Sequence, residues 1–82
     1  MKIRETTTIT RYILRSSPLI HAPGCIRYAR NLYESKGKGS RKNKQIAKNI
    51  VEAWELPDVI TRQILDPKTS LVYEGDTVVF IV

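Results

Sequence analysis

The chain has 82 residues, a formal net charge of +6 and a single cysteine. A chain of this length has room for one modest hydrophobic core, which excludes a second domain and a large enclosed active-site pocket. Its 41% of hydrophobic residues is too high for an intrinsically disordered chain, and no apolar run approaches the roughly 20 residues of a membrane-spanning helix. We therefore expect a single domain over residues 1–82 that has no membrane as its partner.

The cysteine content and the first residues indicate the compartment. Cys25 has no second cysteine with which to form an internal disulfide, whereas short secreted chains usually contain several. The chain begins with basic residues and three threonines rather than with the apolar stretch of a secretory signal. We expect a cytoplasmic protein.

The basic residues are concentrated in the middle of the chain. Residues 27–48 carry eight basic side chains and one acidic side chain, whereas residues 49–82 carry two basic and six acidic ones. A basic segment attracts phosphate groups and an acidic segment repels them. The expected partner is therefore anionic and binds the middle of the chain.

The N-terminal half predicts strands. Residues 6–14 are dense in β-branched and aromatic side chains and predict a strand, and turn-forming residues over 16–24 predict a loop. Residues 25–33 fit both the period of two of a strand and a helical stripe, and of these we favour the strand.

A helix is predicted over residues 41–55. Ile46, Ile50 and Trp54 recur at helical spacing, and Pro57 ends the pattern. Ser40, after a glycine-containing turn, is suited to cap the helix start. We expect Trp54 in the core because it continues the apolar stripe.

The C-terminal part predicts more strand. Residues 59–65 combine β-branched side chains with helical spacing, and we favour a strand there as well. Residues 71–73, a turn at 74–76 and residues 77–82 predict a hairpin. The predicted fold class is α+β in the order β-β-α-β-β, a small antiparallel sheet with one main amphipathic helix packed on it.

The charges on the predicted helix oppose its dipole. Arg41, Lys42 and Lys44 lie at the positive N-terminal end, while Glu52 and Glu55 lie near the negative C-terminal end. Each such placement costs about 0.3–1 kcal/mol at low salt, so it indicates either a bound anion or neutralisation by acidic residues elsewhere. The candidate residues for binding a nucleic acid or another partner are Arg41, Lys42, Lys44, Lys48, Lys36, Lys38, Arg27 and Arg30.

Residues 37–51 resemble the end of the double-stranded RNA-binding domain, in which a glycine-rich turn leads into a basic helix. Lys44, Ala47 and Lys48 match that pattern best. The resemblance implies phosphate binding at the helix start. It ends with this helix, because the family has no counterpart of the β segments that follow here and the chain lacks the family's N-terminal helix.

Arg27, Tyr28, Arg30 and Tyr33 interleave cations and aromatic rings, as in surfaces that stack bases. In the alternative interpretation Tyr28 belongs to the core and the arginines are solvated.

A helix-turn-helix with a C-terminal wing can also be drawn over residues 46–82. Its DNA-facing residues, including Asp58, Glu74 and Asp76, would be net acidic, which argues against it.

The sequence gives little support for an enzyme. One histidine, His21, and one cysteine, Cys25, cannot form an ordinary zinc site, and a lone cysteine is more often a small buried residue than a nucleophile. No nucleotide-binding or serine-nucleophile motif is present. We expect no catalytic residues, cofactor or metal, with a small ribonuclease toxin that uses Lys44, Lys48 and Tyr73 as an alternative.

The predicted order of two strands, one amphipathic helix and a strand pair also resembles small phage-encoded anti-CRISPR proteins. That resemblance implies a viral inhibitor that docks on a host nucleoprotein complex, with Trp54 or tyrosines as interface anchors.

The preferred hypothesis is a non-enzymatic protein that binds DNA or RNA backbone, or a nucleoprotein complex, through its basic residues. A homodimer formed through an open sheet edge is plausible.

Overall fold

A computed structural model describes residues 11–81 and has the predicted α+β class. A three-stranded antiparallel sheet packs against three helices. The elements in chain order are β1 (Arg11–Arg15), α1 (Ala22–Glu34), α2 (Ser40–Glu52), α3 (Asp58–Leu65), β2 (Leu71–Glu74) and β3 (Thr77–Ile81). None of the described helices is long and apolar enough to cross a membrane.

The sheet has the strand order β1-β3-β2, so the first and last strands of the chain pair side by side. The predicted hairpin at the C-terminus is confirmed, and its turn contains Gly75 with a φ of 59°, a conformation that glycine adopts without steric cost. The predicted N-terminal strand is confirmed over residues 11–14, and its positions 6–10 lie outside the described residues.

The prediction of a strand over residues 25–33 is wrong, because this segment belongs to α1. Pro23 lies in the first turn of the helix, where its missing N–H costs nothing. Ile26 and Ala29 are fully buried on one side of the helix, while Tyr28 is 58% exposed on the other. The helical stripe therefore decides the structure, and the predicted loop is shortened to residues 16–21.

The prediction of a strand over residues 59–65 is also wrong, because α3 covers it. Ile60, Ile64 and Leu65 are buried in the core at helical spacing. Asp58 lies in the first turn, where the helix dipole favours a negative charge. The packing of this helix face in the core therefore outweighs the preference of its β-branched side chains for strands. The order β-β-α-β-β is replaced by β-α-α-α-β-β.

The predicted central helix is confirmed, with shifted ends. α2 begins at Ser40 rather than Arg41, so Ser40 lies inside the helix and Gly39, with a φ of 86°, occupies the capping position without a side-chain cap. The helix ends at Glu52, three residues before the predicted end, and Glu55 adopts a positive φ of 55° in the connection to α3. The basic residues therefore lie in the first turns, as predicted.

The core lies between the sheet and the helices. Its largest fully buried side chains are Phe80, Ile26, Ile64, Leu65, Val51 and Val78. Trp54, expected in the core, packs against this cluster but is only partly buried. Its indole Nε1 donates a hydrogen bond to the Arg15 carbonyl at 3.2 Å, which joins the end of α2 to β1.

Candidate nucleic-acid interface

The turn between α1 and α2 shapes the basic end of α2. Gly37 and Gly39 have positive φ values of 90° and 86°, and the Gly37 carbonyl accepts a hydrogen bond from the Ser40 N–H at 3.2 Å. The first hydrogen bond of the helix runs from the Asn43 N–H to the Gly39 carbonyl at 3.0 Å. The backbone N–H groups of the first helical turn, before Asn43, therefore have no helical acceptor.

Five exposed basic side chains surround this helix start, and we call them the basic surface: Lys36, Lys38, Arg41, Lys42 and Lys44. Residues 35–51 contain no aspartate or glutamate, and the first turn of α2 has no acidic residue. The side-chain charges and the positive end of the helix dipole have the same sign. The arrangement provides a local attraction for an anion.

A shallow groove of about 390 Å³ lies beside the basic surface. It is lined by Tyr33, Glu34, Ser35, Lys36, Lys44 and Pro67. The Lys44 ammonium stands 5.8 Å from the centre of the Tyr33 ring, and the Asn43 amide donates to the Ser35 hydroxyl at 3.0 Å. These contacts hold the start of α2 against the end of α1. The groove between them therefore contains two lysines, one aromatic ring and one carboxylate.

Lys48 lies at the margin of this region. It lines a cleft of about 210 Å³ between α2 and α3 with Gln45, Glu52, Asp58, Thr61 and Arg62. The cleft contains two cations and two carboxylates. The charge of Lys48 is therefore balanced locally, and we place it outside the basic surface.

Arg27 is held at the sheet rather than at the start of α2. Its guanidinium carbon lies 4.2 Å from the centre of the Tyr73 ring on β2. Tyr33, by contrast, lies under Lys44, and Tyr28 is exposed. The predicted set of interleaved cations and rings on α1 is thus divided between separate contacts.

Arg30 has a structural role that the sequence did not indicate. Its Nε donates to the Ile64 carbonyl at 2.9 Å, and its Nη2 donates to the carbonyls of Asp66 and Thr69 at 2.5 and 2.6 Å. These bonds cap the end of α3, where carbonyl groups lack helical partners. Three of its five N–H donors are thus occupied within the fold, which holds the guanidinium at the end of α3.

The residues that the sequence offered for catalysis lie in several places in the fold. Cys25 is half-buried, and it lies one helical turn after His21, whose carbonyl accepts the Cys25 N–H at 2.9 Å. The candidates of the ribonuclease alternative have different neighbours: Tyr73 contacts Arg27, Lys44 contacts Tyr33, and Lys48 lines the α2–α3 cleft. Within residues 11–81, no three potential metal ligands form a group that suits a metal ion.

Comparisons with protein families, with curated proteins and with solved structures find no match to this chain.

Proposed function

We propose that this chain is a non-enzymatic protein that binds the phosphate backbone of a nucleic acid, free or within a nucleoprotein complex, through the basic surface. One observation carries the proposal. Five exposed cations lie around an uncapped helix start that no acidic residue neutralises in its first turn. Such an arrangement is unfavourable for the isolated helix and becomes favourable when an anion occupies it.

The contacts within the fold narrow the predicted set of binding residues. Lys36, Lys38, Arg41, Lys42 and Lys44 remain as the binding group. Lys48 lies in the α2–α3 cleft beside two carboxylates, Arg27 is stacked on Tyr73, and Arg30 caps α3. The mechanism is electrostatic: lysine and arginine side chains displace the counterions of the phosphates, without reading base edges.

The proposal is tested by measuring how a triple variant, Arg41→Ala, Lys42→Ala and Lys44→Ala, binds labelled duplex DNA and duplex RNA. Because three of the five cations are lost, we expect the affinity at about 50 mM salt to fall at least about tenfold. Fluorescence anisotropy with the purified proteins measures this change.

The matched control removes the same charge from β1 and from the loop before β2, with Arg11→Ala, Arg15→Ala and Lys68→Ala. These three side chains are exposed and lie outside the basic surface. The control changes the net charge equally, so the proposal expects it to weaken binding much less. Equal losses in both variants, or no binding by the unaltered protein at low salt, would contradict a localised phosphate site.

A helix-turn-helix mode of DNA binding is a second candidate. It is favoured by the order of the elements, in which α2 and α3 are followed by the β2–β3 hairpin in the position of a wing. Its recognition helix would be α3, which exposes Asp58, Val59 and Arg62. This mode predicts a sequence preference that Arg62→Ala abolishes, whereas backbone binding alone predicts equal affinity for unrelated duplexes. The other two functions suggested by the sequence, an anti-CRISPR-type inhibitor and a ribonuclease toxin, remain predictions.

A further inference from the structure

The sheet has an apolar face on the side away from the helices. Side chains alternate along each strand, so Tyr12, Leu14, Val78 and Phe80 pack into the core while their neighbours lie on the outer face. One cross-strand row of this outer face consists of Ile13, Val79 and Val72, which are paired in register. Ile81 lies in the next row, opposite Arg11.

These outer side chains are large and exposed. Ile13 is 42% exposed, Val72 51% and Ile81 60%. Exposed apolar side chains scattered singly are ordinary, but a contiguous group on one sheet face is typical of an interaction surface. We call these three residues, with Val79 between them, the apolar face.

A cavity of about 480 Å³ opens at one end of the apolar face. Val72, Val79 and Ile81 line it together with Phe80 from the core, and its polar lining consists of Gln63, Lys68, Thr69 and Ser70. A cavity of this kind accepts an apolar side chain of a partner and removes it from water. The face therefore has a place for an anchoring residue.

The charged side chains around the apolar face are mostly cationic. Arg11 and Arg15 flank Ile13 on β1, and Lys68 lines the cavity beyond β2. Glu74, opposite Thr77, is the carboxylate on the outward side of β2. A partner with carboxylates beside its apolar side chains would complement this charge.

We propose that the apolar face docks an acidic amphipathic helix of a partner protein. A helix about 10 Å across matches three strands spaced about 4.8 Å apart, and it would cover the second face of a sheet whose first face is already covered by helices. The net charge of +6 disfavours a second copy of this chain as the occupant. The four described residues that define the apolar face are all aliphatic, whereas nucleic-acid bases stack on aromatic rings.

This docking does not rest on the proposed function, because the apolar face and the basic surface belong to different elements. The apolar face lies on the sheet, and the basic surface lies on α2 and the turn before it. A protein that uses both surfaces would connect a nucleic acid with a protein partner.

The test uses a fluorescent synthetic helix of about 18 residues with leucines at helical spacing and glutamates beside them. A control peptide has lysines in place of the glutamates. We expect the acidic peptide to bind and the lysine peptide to bind at least about tenfold more weakly, because the cations of the rim select the charge of the partner. Equal binding of both peptides, or of neither, would overturn the proposal.

A variant of the protein locates the binding. Ile13→Thr, Val72→Thr and Ile81→Thr together keep the β-branched shape that suits strands and remove apolar contact area. We expect at least about a tenfold loss of peptide affinity, since apolar anchors supply most of such binding energy. The control, Leu19→Thr, alters a side chain that is 94% exposed in the loop after β1 and leaves the affinity unchanged.

Circular dichroism confirms that the triple-threonine variant is folded before its binding is compared. If the variant binds the acidic peptide as well as the unaltered protein does, the apolar face is not the docking site. Concentration-dependent dimerisation, or binding to vesicles of anionic lipid, that the same substitutions abolish would also overturn the proposed occupant. Binding of duplex nucleic acid by this variant is expected to be unchanged, so failure of one proposal is distinguishable from failure of the other.

Discussion

Arg30 joins segments that are far apart in the sequence. The three carbonyl groups that it contacts lie 34, 36 and 39 residues further along the chain. No local sequence pattern marks backbone carbonyls as partners, and so the sequence suggested a ligand-binding role. Hydrogen bonds to charged groups contribute about 1.5–3 kcal/mol each to net stability, and the three bonds of Arg30 are only partly buried, which lowers their contribution.

Substitution of Arg30 tests this structural role. We expect Arg30→Met to lower the free energy of unfolding by about 2–4 kcal/mol, because it removes all three bonds and leaves the end of α3 uncapped. The matched control, Arg27→Met, loses only a cation–π contact worth about 0.5–1 kcal/mol. Urea unfolding measures both changes, and similar effects of the two substitutions would contradict the role of Arg30.

Thr61 carries a hydroxyl oxygen that is buried without a hydrogen-bond partner, within the part of the chain that the structure describes. The residue is 3% exposed, and a buried hydroxyl without a partner costs about 1–3 kcal/mol. We expect Thr61→Val to raise the free energy of unfolding by about 1 kcal/mol, because valine has a similar shape and no hydroxyl.

Thr77→Val is the control for this substitution. The Thr77 hydroxyl donates to the Glu74 carbonyl at 2.8 Å, so its removal is expected to destabilise the protein slightly. A loss of stability in both variants, measured by urea unfolding, would show that the Thr61 hydroxyl has a partner.

At the scale of single elements, two of the three helices were predicted as strands for an identifiable reason. Ile60 and Ile64 are four positions apart, a spacing that both a strand and a helix place on one face. Over segments of seven and nine residues, such as 59–65 and 25–33, the period of two and the helical period share too many positions to be distinguished. The central helix was predicted because its stripe continues from Ile46 to Trp54 and has a proline stop after it.

At the start of α2, a substitution that stabilises the folded protein is expected to weaken nucleic-acid binding. We expect Arg41→Glu to stabilise the folded protein by about 0.3–1 kcal/mol at low salt, because a carboxylate complements the helix dipole there. The same substitution is expected to weaken nucleic-acid binding, since it replaces a cation of the basic surface. Thermal unfolding and anisotropy measure the two effects, and a variant that is both less stable and fully able to bind would contradict the account.

For the whole molecule, the sequence alone predicted the α+β class, the C-terminal hairpin and the basic start of the central helix. These features depend on local patterns of charge, turns and periodicity. The separation of Arg27 and Arg30 from the other cations depends on tertiary contacts with Tyr73 and with the end of α3. The apolar face was also missed, because strand pairing brings Ile13, Val72 and Ile81 together from distant segments.

The central claim is that the basic surface binds phosphates, and the salt dependence of duplex DNA binding tests it most directly. If its five cations each displace a counterion, the logarithm of the affinity falls with the logarithm of the salt concentration with a slope of about −4 to −5. The Arg41, Lys42 and Lys44 triple-alanine variant should reduce this slope to about −2. A slope near zero, or an equal slope for protein and variant, would contradict the claim.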